Sequence, residues 1–322
     1  MSEEAATLAV DLGGTHMRCA LVGPDGHVLM RHEVATPHDG QGPEALTKLM
    51  AEVHSHRRCD TAVVGVPGRV NYQSGALEYA PNLPPGWTER INRTELGEAV
   101  GIPVSLANDA DLAAVGEAWF GAGQGVEDVV YLTLSTGVGA GVVLARRLVH
   151  GRRSMAEVGH TIIDLTAAAL GEPATVEELA SGTAFRRMAA EAGLTGTAAE
   201  LDAAVNRGDP AATEVWGKVV SAAAGAVVNL AWLFAPQAIV VGGGLGLVGE
   251  LVLNPLRDAL ARSGPPDLDQ AIVVTRAALG DDAGLIGAAA WSEAFLPAGL
   301  SLPAEGPSLA GQQTAAGAGG HG

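Results

Sequence analysis

The chain has 322 residues, enough for two domains at about 150 residues each and for a substantial core. Hydrophobic residues make up 48%, charged ones 17% and aromatics 4%, so the core is built from Ala, Val, Leu and Ile, and disorder is excluded for the bulk of the chain. The 19 basic and 36 acidic residues sum to −17, a charge that repels phosphodiester backbones and anionic lipid heads, so neither nucleic acid nor a membrane is an expected partner.

Lys48 and Lys218 are the only lysines, and Lys218 stands in WGKVV, so a Walker P-loop and the lysine of a protein kinase both lack a candidate. Cys19 and Cys59 are too few for a disulfide framework or a four-cysteine zinc site and suit a reducing, cytoplasmic compartment. The opening MSEEAA is acidic and lacks the basic region of a secretory signal. Glycine, at 44 residues, is about twice the usual ~7% and follows no collagen period, which means many tight turns or close backbone approaches.

In chain order, residues 7 to 22 (TLAVDLGGTHMRCALV) read as two apolar strands joined by a Gly-Gly turn, and 27 to 36 as a third strand. Residues 43 to 58 place Leu46, Leu49, Met50 and Val53 at helical spacing behind Pro43. TAVVGVPG, 61 to 68, is an apolar strand ending in a Gly/Pro loop, and VSLAND, 104 to 109, is a strand delivering polar side chains at its end, before a helix over 110 to 120. Strand and helix alternation predicts an α/β sheet.

VVYLTLSTGVGAGVVL, 129 to 144, repeats the opening theme of apolar run, glycine turn and apolar run, so a second, similar domain begins here. Helices fill 177 to 234, AIVVGGG (238 to 244) is a buried strand, and a last helix spans 282 to 296 with Asp281 or Asp282 as its cap. The uncharged stretch from Val219 to Gly249 mimics a membrane span, but Asn229, Pro236 and the glycine cluster read better as a buried helix followed by a buried strand. The Gly- and Ala-rich tail, 298 to 322, is expected to be disordered.

DLGGT (11 to 15), STGVGAG (135 to 141) and GGGLG (242 to 246) are strand-to-glycine turns whose successive N–H groups can cradle phosphates. One such turn alone is weak; two at the heads of two domains predict hairpins gripping a polyphosphate from opposite sides. Gly244, Gly246 and Gly249, with Asp269 about 20 residues on, imitate a dinucleotide fingerprint. Asp269, however, precedes the strand at 271 to 275 instead of closing one, so that reading is set aside.

DLGGT, VGVPG (64 to 68), APNLPPGW (80 to 87), LANDA (106 to 110) and STGVGAG followed by GRRSMAEVGH resemble the ROK family of sugar kinases and related repressors, over roughly residues 7 to 296. The resemblance implies an actin-like ATPase (ribonuclease H-like) α/β fold of two domains around a cleft. The expected division is residues 1 to 106 plus 283 to 297 against 107 to 282.

By the resemblance, ATP with Mg²⁺ phosphorylates the 6-hydroxyl of a hexose, glucose first. A sugar hydroxyl is a poor nucleophile, so a carboxylate must take its proton, and Asp109 at the strand end is the expected general base. The expected sugar contacts are Gly65, Gly68, Asn82, Asn108, Asp109, Glu157, His160 and Glu177. The expected nucleotide contacts are Asp11, Gly13, Gly14, Thr15, Thr136, Gly137, Gly139, Gly243 and Gly244, with Asp11 approaching the Mg²⁺ through water.

The sequence departs from the family after His160: a cysteine-rich zinc stretch common there is replaced by TIIDLTAAALGEPATVEELASG, without cysteine. No structural zinc is therefore expected, and His160 should be oriented by hydrogen bonds. Glu177 is preferred to Glu178 because ExxxSG then ends at Ser181-Gly182. The alternatives are an N-acetylmannosamine or other hexose kinase, use of polyphosphate as donor, and a non-catalytic sugar-binding regulator. A repressor is disfavoured because the first strand begins near Thr7 and the charge opposes DNA. The Ala-rich faces of the helix at 212 to 234 suit a homodimer.

Overall fold

The computed structural model describes residues 6–38, 42–194, 198–266 and 271–295. Its first half runs β1 (Thr7–Leu12), β2 (His16–Val22), β3 (Val28–Ala35), α1 (Gly42–His56), β4 (Thr61–Val66), β5 (Arg69–Asn71), β6 (Ala76–Tyr79), α2 (Arg93–Val100), β7 (Val104–Asn108) and α3 (Asp109–Phe120). The second half begins with β8 (Val129–Leu134), β9 (Val138–Leu144), β10 (Arg147–Leu148), α4 (Leu165–Leu170), α5 (Val176–Ala180), α6 (Gly182–Glu191) and α7 (Ala198–Asn206). It continues with α8 (Pro210–Phe234), β11 (Ala238–Gly242), α9 (Gly243–Gly246), α10 (Glu250–Ser263), β12 (Val273–Arg276), α11 (Ala283–Gly287) and α12 (Trp291–Phe295).

The expected repetition is present. One five-stranded sheet has the order β3-β2-β1-β4-β7 and the other β10-β9-β8-β11-β12. In each, three antiparallel strands are extended by two parallel ones. Register aligns the carboxyl ends of the parallel strands: Asp11 sits beside Gly65 and Gly65 beside Ala107 in one sheet, and Thr133 beside Gly242 in the other. Ligands of open α/β sheets bind at such strand ends.

Each sheet buries its outer face under its own helices. Leu46, Leu49, Met50 and Val53 of α1 and Leu96 of α2 pack on the first sheet, and Trp216, Val219, Val227 and Leu230 of α8 lie in the core of the second. A third core lies between the sheets. It joins Ala9, Ala20 and Val63 of the first to Val129, Tyr131 and Val240 of the second through α3 and the C-terminal segment. From Ala110 to Trp119 every α3 residue is buried, so this helix has no solvent face.

Small residues permit that packing. A Cβ at Gly141 would lie 2.6 Å from the Ala110 carbonyl oxygen, one at Gly116 2.2 Å from that of Ala283, and one at Gly287 2.0 Å from that of Leu112. The buried Glu117 carboxylate accepts the N–H groups of Ala122, Ala278 and Leu279, tying the end of α3 to the chain leaving β12.

The long apolar segment resolves into the expected buried helix and buried strand. Helix α8 is capped by Asp209, whose side chain accepts from Ala211 and Ala212, with Pro210 in its first turn. At 25 residues it is long and apolar enough to cross a membrane, yet half of its most apolar stretch is buried inside the protein. Two expectations are corrected. The last helix is broken by 3-10 turns at Gly280–Asp282 and Ala288–Ala290. Asp282 does not cap it: its carboxylate takes the Arg31 guanidinium at 2.5 Å, a stronger charge-assisted partner than a backbone N–H. Residues 298 to 322, Asp269 and the opening MSEEA lie outside the described residues.

Two alanine substitutions separate the roles of glycine. Gly116→Ala should destabilise the protein by about 1–3 kcal/mol through overpacking. Gly217→Ala, in α8 with open space around it, should stabilise by about 0.5–1 kcal/mol. Denaturant unfolding of the two variants checks both signs.

Candidate active site

The two sheets and α3 enclose a cleft of about 630 Å³, within the usual ~300–1,000 Å³ of a small-molecule site. Gly13, Gly14 and Thr15 from the β1–β2 turn line it, as do Thr136, Gly137 and Gly139 from the corresponding β8–β9 turn. Gly68, Asn82, Asn108, Asp109, Glu157, His160 and Glu177 also line it. The hairpin turns are tight: the Gly13 N–H reaches the His16 carbonyl at 2.9 Å, and the Ser135 N–H the Gly137 carbonyl at 2.9 Å.

Glycine is required at two of these places. Gly14 lies so close to the Asn82 loop that a Cβ would meet the Asn82 carbonyl oxygen at 2.7 Å. Gly68 has φ +111°, and its Cβ would lie 2.0 Å from the Tyr79 carbonyl oxygen.

The polar centre of the cleft is the turn between β7 and α3. Asn108 caps α3, its Oδ1 accepting from Ala110 at 3.0 Å and Asp111 at 3.1 Å, while its Nδ2 donates to the Gly68 carbonyl at 2.9 Å. This capping locks the turn and aims the next residue, Asp109, into the cleft. One Asp109 oxygen accepts the Ala110 N–H at 2.9 Å. Water in the cleft reaches the Asp109 side chain, but protein crowds its other sides, and that desolvation, with the charge of Asp11 behind it, pushes the carboxyl from 3.8 up to about 7.

Asp11, half-buried on β1, pairs across the hairpin with Arg18 at 3.5 Å. Burial raises its carboxyl, Arg18 pulls it down, and Asp281, Asp282 and Glu33 push it up again.

Glu177 and Glu178 separate cleanly. Glu177 faces the cleft and accepts the Val138 N–H at 2.8 Å, bracing the second hairpin turn, whereas Glu178 turns back to close a capping box with Thr175 at the start of α5. His160 departs from expectation. No hydrogen bond holds its ring among the described residues; its Nε2 stands 4.0 Å from Glu157, and the side chain is 65% exposed.

Asp11, Gly65, Gly243 and Gly244 are not on the cleft wall. Gly65 lies behind it, where a Cβ would meet Leu112 at 2.9 Å. Gly243, with φ +76°, turns the chain beside the Leu134 carbonyl at the head of α9. Arg69, with its guanidinium 6.0 Å from the Tyr79 ring, and Ser135 line the cleft without having been singled out. Arg69 follows the VGVPG loop directly, a signal available in the sequence, whereas Tyr79 reaches the cleft only through the β5–β6 pairing.

Over residues 7–294 the chain matches the ROK family. It belongs to that family. The ROK chain is 32% identical to the glucokinase of Thermotoga maritima over 303 residues, covering 88% of this chain and 95% of that one. It is also 32% identical to the N-acetylmannosamine kinase of Escherichia fergusonii, over 77% of this chain and 86% of that one. A crystal structure of the ROK glucokinase from Streptomyces griseus with glucose and AMPPNP superposes with a TM-score of 0.75 at 32% identity, over 88% of this chain and 98% of that one. The fold is thus the expected α/β actin-like ATPase fold.

The raised Asp109 carboxyl has a consequence for stability. An acid held above its ordinary value keeps its proton in the native state between about pH 4 and 7, so its contribution is full below that window and lost as pH rises through it. Asp109→Asn should therefore raise the Tm of the ligand-free protein at pH 8, the gain fading towards pH 4. An equal gain at both values would contradict the desolvation of this carboxylate.

Proposed function

We propose that this ROK protein is an ATP-dependent hexose kinase, with glucose as its first substrate and Asp109 as general base. One observation carries the reading: a solvent-reached, protein-crowded carboxylate stands at a strand end, in a cleft whose walls carry matching glycine turns from two matching sheets. The N–H groups of Gly13 to Thr15 and Thr136 to Gly139 suit the ATP phosphates. Gly243 and Gly244, at the head of α9, suit the nucleotide farther from the transferred group.

Asn82, Asn108, Glu157, His160 and Glu177 supply donors and acceptors for sugar hydroxyls, with Gly65 and Gly68 shaping the loop beneath them. Asp109 takes the proton of the 6-hydroxyl as that oxygen bonds the γ-phosphorus and ADP leaves. A base whose value lies near the working pH is ionised in useful fraction and still strong enough to accept the proton.

Asp11 is the residue placed to face Mg²⁺. Its donors are carboxylate oxygens, the type magnesium prefers, and Asp281, Asp282 and Glu33 add negative charge around it beside the single cation of Arg18. Bound with the nucleotide, the cation would neutralise charge on the phosphate oxygens. Closure of two domains, divided at 106/107 and 282/283, would shut water out of the cleft. The same reading places a homodimeric enzyme in the cytoplasm. The N-acetylmannosamine kinase relative favours that amino sugar as the second substrate to try.

ADP release measured with glucose, mannose, N-acetylmannosamine, N-acetylglucosamine and fructose tests the assignment, with glucose expected to give the highest kcat/KM. Asp109→Asn should lower kcat by at least about 10²-fold with the best sugar. Wild-type turnover in that variant would refute the base.

A further inference from the structure

Tyr72, in the loop between β5 and β6, lies outside the cleft wall and has no part in the chemistry above. Its hydroxyl donates to Asp111 Oδ2 at 2.5 Å and accepts the Asn108 N–H at 3.2 Å. A single oxygen thus grips the residues on both sides of Asp109. Asp111 is wholly buried, and its Oδ1 has no partner among the described residues. Burial raises the Tyr72 phenol well above its usual value, so at neutral pH it keeps the proton it donates.

The ring is anchored from two other parts of the chain. It meets His150 edge-on at 5.4 Å, Phe295 edge-on at 5.0 Å and Trp291 at 5.9 Å, and the Tyr72 N–H donates to the Arg152 carbonyl at 2.9 Å. The β5–β6 loop, the segment after β10 and the C-terminal helix therefore converge on the turn that carries Asp109. Phenylalanine and an apolar partner of similar shape would fill the same space without burying a carboxyl, and replacing both partners of a buried hydrogen bond in this way can be nearly neutral or stabilising. Packing does not account for the hydroxyl.

We propose that Tyr72 is a positioning residue for phosphoryl transfer: its hydroxyl, held between Asp111 and the Asn108 amide, fixes the turn that aims Asp109 at the sugar. This rests on the reading of Asp109 as general base.

Steady-state kinetics of Tyr72→Phe, Asp111→Asn, Asp111→Leu and Tyr72→Phe/Asp111→Leu, alongside Asp109→Asn, test it. Because small misplacement of a reacting group costs up to about 10²-fold, Tyr72→Phe should lower kcat about tenfold while KM for hexose and ATP stays within about twofold. Asp111→Leu should match it, and the double variant should be no worse than either single one. Asp111→Asn, whose amide oxygen still accepts from the phenol, should stay within about threefold of wild type.

Wild-type kcat in Tyr72→Phe, a change in KM alone, or Asp111→Asn as poor as Asp111→Leu overturns the proposal. If Asp111→Leu does not fold, Tyr72→Phe and Asp111→Asn decide it. Wild-type turnover in Asp109→Asn would instead remove the base assignment; loss there beside a normal Tyr72→Phe removes only the positioning role.

Discussion

The structure depends on the close packing of α3 between two sheets. Besides buried side chains such as Leu112, Val115 and Trp119, α3 meets its neighbours at backbone range in places where only glycine leaves room. The Ala110 carbonyl lies against Gly141, the Leu112 carbonyl against Gly287, and the Ala283 carbonyl against Gly116. The high glycine content is in part the composition this junction demands.

From that packing the site follows. The first turn of α3 has to emerge where the parallel strands of the first sheet end, beside the β8–β9 hairpin of the second, because the helix is wedged between them. Asn108 satisfies two of the free N–H groups of that turn, and its amide holds the Gly68 loop. Asp109 is left pointing into the gap, reached by cleft water but crowded by protein on its other sides and with Asp11 nearby, which is costly for a carboxylate at rest and useful for one that must accept a proton. Glu177 braces the facing turn through the Val138 N–H. The positions fixed by packing and those expected to meet substrate are therefore neighbours in the chain.

Much of this was legible in the residues. The alternation of strand and helix, the repeated hairpin theme and the burial of α8 follow from local pattern, whereas the gathering of Asn82, Asn108, Glu157, His160 and Glu177 with Asp109 around one cleft was implied only by the resemblance to the ROK family. What local pattern lacks is partner information. Asp282 looked like a helix cap because four residues of sequence cannot reveal Arg31 on a distant strand. His160 is expected to be held by hydrogen bonds, yet among the described residues none holds its ring and Glu157 stands 4.0 Å away. Tyr72 gave no signal at all, because it gains meaning only when the β5–β6 loop folds back 36 residues along the chain to the Asn108 amide.

A crystal structure of the protein with glucose and a non-hydrolysable ATP analogue tests the central claim most directly. The account predicts the sugar's 6-hydroxyl within about 2.6–3.2 Å of an Asp109 oxygen, with the terminal phosphate lying between Gly13–Thr15 and Thr136–Gly139. A sugar bound away from Asp109, or phosphates seated on only one of the two turns, would contradict it.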